Sequence, residues 1–176
     1  MKIQNEVYVN DIDPADIPEI ELYIDQIITL FNRIETDEEK YLTKSMINNY
    51  SKAKIIEKIK GRKYSRAHII VIAIINRLKQ TLTINEIKAV MDNAKDIILN
   101  EIGEYNLDVL LKIYNSYREI FTKSSANYDK MIPMLEEFEK HADEKEFYIV
   151  EALCFSALSQ NYGNRVKNMV KDIAEK

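Results

Sequence analysis

The chain has 176 residues, of which 46% are hydrophobic and 31% charged, a composition typical of one globular domain or two small ones and unlike a disordered or fibrous protein. Three glycines and three prolines supply too few turns for an all-β fold, so we expect a mainly α-helical protein. The longest apolar run, residues 69–75, is far shorter than the roughly 20 residues of a membrane span, and the N-terminus lacks a secretory signal pattern, which predicts a cytoplasmic protein without a membrane partner.

The sequence offers little material for catalysis or metal binding. The single cysteine, Cys154, excludes an internal disulfide and any site built from several thiolates of one chain. Glycine-rich nucleotide motifs, zinc-protease motifs and paired C-x-x-C are absent from the sequence. His141 and Cys154 offer base and nucleophile chemistry, but core packing explains Cys154 better. The acidic cluster at 136–144 lacks metal-loop spacing. We predict no cofactor, no metal and no enzymatic activity.

The net charge of −4 conceals two regions of opposite sign. Between Lys44 and Gln80 there are ten Lys and Arg residues against one acid, Glu57, so this segment carries +9 and the remainder −13. Concentrated positive charge in a folded segment favours a surface that binds a polyanion, because neutralising phosphates releases counterions. The alternative interpretation is an ordinary solvated face.

The first predicted elements precede this basic segment. Residues 1–17 are expected to form an acidic, loosely ordered arm. From Pro18 to about Ile34 the apolar residues recur at three-four spacing, which predicts an amphipathic helix with Pro18 in its first turn. A charged connection, residues 36–40, follows, and a short second helix then begins with Thr43 as its N-cap.

The second helix, residues 44–52, has one polar and one apolar side. At 100° per residue Met46, Ile47 and Tyr50 share one arc and the polar residues share the other. The polar arc carries no carboxylate, and an asparagine can bond adenine through two atoms, so this arc suits base edges and phosphates. The predicted DNA base contacts are Lys44, Ser45, Asn48, Asn49 and Lys52. A general richness in Asn, Ile and Lys is the alternative explanation for the two asparagines.

A basic wing and two helices are predicted next. Residues 55–64 favour a short β-hairpin with Gly61 at its tip. Ser65 then caps a helix that is apolar on all sides, so its middle is expected to be buried. A T-x-x-E capping box at Thr83 opens a further helix, which we expect to end at Gly103.

Three runs of this region read L-T-K-S-M-I-N-N-Y-S-K-A-K-I-I, G-R-K-Y-S-R-A-H-I and L-T-I-N-E-I-K-A-V-M. They resemble the DNA-binding domain of MerR-type winged helix-turn-helix regulators, and the resemblance covers residues 42–91. It implies a recognition helix that ends near Tyr50 and a wing whose Arg62 contacts phosphate. The two asparagines stand where that family often has Arg and Tyr, so no base preference carries over. The arrangement also resembles an uncharacterised bacterial family that joins such a domain to a helical C-terminal half.

The C-terminal half is predicted to be a helical bundle with a regulatory or dimerisation role, with helices over residues 104–121, 125–141 and 144–175. Some of its apolar side chains are candidates for a small-molecule effector pocket, with ordinary core packing as the alternative. The candidates are Met131, Met134, Phe147, Tyr148, Leu153, Phe155, Leu158 and Tyr162. In the basic segment, His68 is a candidate phosphate contact, with packing or capping as its alternative.

Together these patterns predict an arm (1–17), a winged helix-turn-helix domain (18–102) and a helical domain (103–176). The predicted function is sequence-specific transcriptional regulation, with helix 44–52 in the major groove of double-stranded DNA and wing 57–64 on its phosphates. The predicted phosphate contacts are Tyr50, Lys58, Lys60, Arg62, Lys63 and Arg66. A homodimer follows from two-fold operator symmetry. The alternative function is a helical protein-interaction module whose basic face binds an acidic partner.

Overall fold

The computed structural model describes residues 10–35 and 37–174, so the first nine residues of the predicted arm lie outside the described part. Its α-helices are α1 (Ile24–Asn32), α2 (Lys44–Lys52), α3 (Arg66–Leu78), α4 (Ile84–Asn93), α5 (Lys95–Ile98), α6 (Leu107–Lys123), α7 (Tyr128–Glu139) and α8 (Glu144–Ala174). Two short strands, β1 (Leu22–Tyr23) and β2 (Lys63–Tyr64), form its sheet. The prediction of a mainly α protein is confirmed.

The segment before β1 is packed against the protein. Pro14–Asp16 form a 3-10 turn that is capped by the side chain of Asp13. Ile12 and Ile17 are buried and form part of the hydrophobic core. The prediction of a loosely ordered arm is therefore wrong for residues 10–17.

The first helix begins later in the sequence than Pro18 suggests. Pro18 starts no helix, and the chain instead runs through β1 before α1 begins at Ile24. Tyr23 has extended backbone, and its N–H donates to Oε1 of Gln26 at 2.9 Å, so this side chain satisfies a backbone donor at the helix start. The predicted start at Pro18 is wrong, and the apolar periodicity belongs to the later turns.

The small sheet differs from the predicted hairpin. β1 and β2 are antiparallel, with Leu22 opposite Tyr64 and Tyr23 opposite Lys63. The partner of β2 thus precedes α1, and residues 55–62 contain no strand, so the hairpin predicted within residues 55–64 does not form. The sheet joins the chain before α1 to the chain after α2, which holds these two helices in one unit.

Three predicted helix starts are confirmed. The hydroxyls of Thr43, Ser65 and Thr83 accept hydrogen bonds from backbone N–H groups in the first turns of α2, α3 and α4. The helix that begins after Thr83 ends sooner than expected, because α4 stops at Asn93 and only the short α5 follows. Gly103 lies beyond both, in a turn where its φ is +76°, a value that favours glycine.

The core is centred on α3. Its residues 69–75 are between 0 and 3% exposed, as expected for a helix that is apolar on all sides. α3 packs against α6 and α8, and α7 packs against both of these helices. Buried side chains from Ile12 to Leu158 form one connected cluster, so the N-terminal segment and the C-terminal helices share a core. None of the described helices combines the length and apolar character that crossing a bilayer requires.

Candidate nucleic-acid interface

The outward face of α2 is the centre of the candidate site. The helix buries Ile47, which is 0% exposed, and Tyr50, which is 9% exposed. Its opposite side carries the five predicted base-contact residues, and all five are exposed: Lys44, Ser45, Asn48, Asn49 and Lys52. Within residues 10–35 and 37–174 none of these five side chains forms a hydrogen bond or an ion pair. The polar arc is therefore a surface with its hydrogen-bonding capacity unused.

A sharp turn connects α2 to the loop that follows it. Lys54 adopts a left-handed conformation with φ of 58°, and the N–H groups of Ile55 and Ile56 both donate to the carbonyl of Tyr50. These two isoleucines are 2 and 3% exposed, so the turn is fixed by burial as well as by hydrogen bonds. We call residues 57–62 the basic loop. Its position at the C-terminal end of α2 follows directly from this turn.

The basic loop carries its charges outward. Lys58, Lys60 and Arg62 are exposed, and Gly61 has a φ of +85°, which lets the chain turn at the loop tip. In the part of the chain that the structure describes, Lys58 and Arg62 form no ion pair, and the same holds for Lys52 at the end of α2. These cations and the outward face of α2 together form the candidate interface.

Two further predicted phosphate contacts, Lys60 and Lys63, already have intramolecular partners. Lys60 forms an ion pair with Glu104 from the connection between α5 and α6. Lys63 Nζ lies 5.0 Å from the centre of the Tyr23 ring, a cation–π contact. Both lysines are exposed, and a surface ion pair is weak, so both remain able to exchange partners. The Lys60–Glu104 contact raises the pKa of Lys60 through the hydrogen bond and the charge of Glu104.

Arg66 is held more firmly. Its Nη2 donates to the carbonyl of Pro14 at 3.0 Å, and its Nη1 lies 3.6 Å from Oε1 of Glu19. The side chain is 23% exposed, whereas that of Lys60 is 87% exposed. Arg66 therefore ties the N-terminal segment to the start of α3, which explains its conformation without a phosphate.

Arg77 does not contribute to the positive surface, although it was counted in the basic segment. It is 3% exposed, pairs with Asp11, and donates to the carbonyl of Asn10 and to the side chain of Gln160. Burial alone would lower the pKa of Arg77, but the Asp11 carboxylate outweighs this effect and the pKa is raised. Asp11 also accepts a hydrogen bond from the hydroxyl of Tyr117. Arg77 is thus a core residue that anchors the N-terminal segment.

Lys79 is also withdrawn from the surface. Its Nζ donates to the carbonyl of Lys40 at 3.2 Å and lies 3.7 Å from the sulfur of Met46 on the inner side of α2. Burial lowers the pKa of Lys79, and the nearby charge of Glu35 offsets this only in part. Three of the ten cations counted in the basic segment therefore have structural contacts, namely Arg66, Arg77 and Lys79, and the interface is less positive than the segment.

Two residues with suggested roles at DNA instead have structural contacts. Tyr50 is buried and its pKa is raised by burial, so its ring serves the core, and its phosphate contact stays a prediction. His68 Nδ1 lies 2.7 Å from Oγ of Ser65, and its ring meets those of Tyr64 and Tyr105 edge to face. Burial lowers the pKa of His68, which favours the neutral form. The capping and packing interpretation of His68 is the one that the geometry supports.

A cleft of about 330 Å³ lies beside the basic loop. The phenol oxygen of Tyr105 accepts from the N–H of Glu57 at 2.9 Å, and this contact forms one wall and fixes the root of the loop. Its charged lining residues carry both signs, with Lys58 and Lys60 beside Glu21 and Glu104. The cleft therefore supports the loop and offers no uniform charge to a ligand.

The predicted effector residues divide between core and surface. Met131 and Leu153 are 0% exposed and Leu158 is 6% exposed, whereas Tyr148 and Tyr162 are 48 and 44% exposed. Ordinary packing explains the buried members, and an effector stays a prediction.

Cys154 and His141 are not placed for joint chemistry. Cys154 is 0% exposed, and burial raises the pKa of its thiol to about 12, so it stays protonated at neutral pH. His141 lies on the surface with Nε2 3.4 Å from Glu137. Among the described residues, no group of three or more His, Cys, Asp or Glu side chains is arranged to hold a metal ion.

Sequence reasoning missed the carboxylates that neutralise part of the basic segment. Asp11, Glu19 and Glu104 come from distant parts of the chain, 66 residues from Arg77 in the case of Asp11. Nothing in the local pattern of the basic segment indicates such partners. One signal was available for Arg77: a charge on a helix that is apolar on all sides has to be buried, and a buried charge needs a counter-charge.

The fold and this surface define a mainly helical protein with an exposed, carboxylate-free helix face next to a basic loop. A family model described as "Domain of unknown function (DUF1836)" matches residues 12–120, more than half of the chain, and the chain belongs to that family. The matched region contains α2 and the basic loop, so the candidate interface lies wholly within the family domain. No curated protein and no solved structure matches the chain.

Proposed function

We propose that the protein is a non-catalytic, sequence-specific DNA-binding regulator of transcription. In this proposal α2 lies in the major groove and the basic loop contacts phosphates. The observation that supports the proposal best is the outward face of α2. Five exposed polar side chains share this face, it carries no carboxylate, and none of the five has an internal partner in the described part of the chain. The resemblance of this region to MerR-type regulators supports the same function.

The dimensions and chemistry of α2 suit this role. A helix of nine residues is about 13 Å long, and the major groove is wide enough to admit an α-helix. Asn48 and Asn49 can each donate and accept at a base edge, which distinguishes them from a purely cationic surface. The buried side of α2, formed by Ile47 and Tyr50, would keep the helix in place while the opposite side reads bases.

The basic loop suits the phosphates. Contacts with phosphates position a protein on DNA, whereas contacts with bases specify sequence. Lys58 and Arg62 have no ion pair to break among residues 10–35 and 37–174, so a phosphate gains their full charge without an internal exchange. Lys60 and Lys63 would first leave Glu104 and Tyr23. We therefore expect Lys58 and Arg62 to contribute most of the loop's share of affinity.

The sequence preference is the first test. Double-stranded DNA selected from a random library by the full chain should share a motif. Combined Asn48→Ala and Asn49→Ala should relax this motif by about 1–3 kcal/mol for each lost two-atom contact. Asn93→Ala, which changes an exposed asparagine on α4, is the matched control and should leave the motif unchanged. A motif that survives the double substitution would remove α2 from the reading of bases.

The dependence of DNA affinity on salt concentration tests the phosphate contacts. Combined Lys58→Ala and Arg62→Ala should weaken binding to all duplex sequences about equally, and the slope of log K against log salt should flatten by about 0.9 for each lost phosphate contact. Lys130→Ala removes an exposed lysine from α7 and should change neither quantity. An unchanged slope in the double variant would exclude the basic loop from the interface.

One observation favours a second candidate function, a module that binds an acidic protein. This region already pairs with carboxylates within the chain, through Lys60 with Glu104 and Arg66 with Glu19. The two functions differ in selectivity. A protein-binding module would select no motif from random DNA, and acidic polypeptide would displace DNA of any sequence with the same ease.

A further inference from the structure

The last helix, α8, carries a mainly apolar stripe on the side opposite to its fully buried residues, and Ala152 and Phe155 within this stripe are partly buried against the core. At 100° per residue the stripe lies within an arc of about 80° and runs for about 33 Å along the helix. Its members are Tyr148, Ala152, Phe155, Ser159, Tyr162, Val166 and Val170. They alternate steps of four and three residues up to Val166, which is the spacing of a helix that packs along a second helix.

This stripe is distinct from the face that α8 uses inside the protein. Val150, Leu153, Cys154 and Ala157 are each 0% exposed and lie on the opposite side of the helix. The large stripe residues remain accessible: Tyr148 is 48%, Tyr162 44%, Val166 60% and Val170 59% exposed. Exposed apolar patches on a protein surface mark interaction sites, so the accessible residues of this stripe indicate an interface.

The charges of α8 indicate which partner fits. Its first half, residues 144–157, carries three acids against one lysine, and its second half, residues 158–174, carries three bases against one aspartate. Some of these charges have internal partners, such as Glu146 with Lys112 and Lys167 with Asp37. An antiparallel copy of α8 places the acidic half beside the basic half at both ends of the contact, and it also opposes the two helix dipoles.

We propose that α8 is a self-association surface, on which α8 of a second copy of this chain packs in the antiparallel direction. With residue 157 at the two-fold axis, each of the three aromatic stripe residues faces a small or branched one. Tyr148 faces Val166, Tyr162 faces Ala152, and Phe155 faces Ser159, each across the axis. This inference does not depend on the proposed DNA binding.

Sedimentation velocity of the full chain over a wide range of concentration tests the association. The unmodified chain should dimerise, and Val166→Glu should weaken the dimer at least about tenfold, because the carboxylate would have to enter an apolar contact. Ile102→Glu is the matched control: Ile102 is 76% exposed and lies far from the stripe in sequence, and its dimer should be unchanged. A chain that stays monomeric, or a dimer that tolerates Val166→Glu, would overturn the proposal.

Cysteine cross-linking tests the direction and needs no destabilising change. Under oxidising conditions the combined variant Ala152→Cys and Tyr162→Cys should form a disulfide-linked dimer. Ala152→Cys alone should not, because its two copies would lie about 15 Å apart along the helices, too far for a disulfide. A link in the single variant would indicate parallel helices and refute the antiparallel arrangement. The unmodified chain, whose single cysteine is the buried Cys154, gives the background level of cross-linking.

Discussion

Two groups of cations from one stretch of sequence have opposite fates in this protein. Lys52, Lys58 and Arg62 point into solvent, whereas Arg77 is 3% exposed and paired with Asp11. The helices that carry or precede them explain the difference. α2 has a single apolar arc and therefore leaves its other side in water, whereas α3 beyond its first turn is apolar on all sides, so Arg77 is carried into the core.

A count of charges along the chain therefore overestimates the positive charge of a binding surface. Ten basic residues lie between Lys44 and Gln80, yet Arg77 and Lys79 hold the protein together. An exposed cation without an internal partner can exchange water for a phosphate at small cost. A buried cation with several partners cannot, because its partners would be left unpaired. The predictions below test this division.

The largest effect is expected at Arg77. Arg77→Met should lower the free energy of unfolding by about 3–5 kcal/mol, because it leaves the Asp11 carboxylate without its counter-charge inside the protein. Urea unfolding followed by circular dichroism measures this change. Arg62→Ala removes the same charge from the basic loop and should stay within about 0.5 kcal/mol of the unmodified chain. Similar losses in the two variants would contradict the division into core and surface cations.

Tyr117→Phe should have the next largest effect. The hydroxyl of Tyr117 donates to Asp11 from a side chain that is 0% exposed, so its removal takes one hydrogen bond from a carboxylate that is only 14% exposed. Hydrogen bonds to charged groups contribute about 1.5–3 kcal/mol, and we expect a loss in this range by urea unfolding. Tyr148→Phe changes an exposed tyrosine on α8 and is the control. An equal effect of both changes would show that Asp11 does not depend on Tyr117.

The helix starts and the burial of α3 were predicted correctly, because they depend on residues that are close together in the sequence. The N-caps Thr43, Ser65 and Thr83 depend on contacts within a few residues of chain. The burial of α3 on all sides was predictable because its residues 69–75 are all apolar. The outward face of α2 was also predictable, because the position of its apolar arc fixes the exposure of the other arc.

The features that the sequence did not reveal involve distant segments. The strand partner of β2 is β1, which precedes both α1 and α2, so the hairpin predicted within residues 55–64 did not identify it. Pro18 looked like a helix start, but the chain entered the sheet first. The Arg77–Asp11 pair joins the N-terminal segment to α3, and no local rule specifies such a contact.

A smaller effect is expected at the cap of the helix that carries the exposed cations. The hydroxyl of Thr43 accepts from the N–H of Met46 at 3.2 Å, and Thr43→Ala should lower the free energy of unfolding by about 1 kcal/mol. Thermal unfolding measures this change, and Thr43→Ser, which keeps the hydroxyl, should restore most of the stability. Failure of serine to do so would assign the loss to packing of the threonine methyl group.

The smallest effect concerns Lys79, and it depends on pH. Burial lowers the pKa of Lys79 below its usual 10.5, so in alkaline solution the unfolded chain binds more protons at this residue than the folded chain. The contribution of Lys79 to the free energy of unfolding therefore rises with pH between its lowered pKa in the folded protein and 10.5.

Lys79→Met removes this contribution, so the free energy of unfolding of the variant should decline relative to that of the unmodified chain between neutral pH and pH 10.5. Paired urea titrations at both pH values measure it, with Lys130→Met as the exposed-lysine control. A constant difference between variant and unmodified chain would mean that Lys79 stays as well solvated in the folded protein as in the unfolded chain, despite its contacts with Lys40 and Met46.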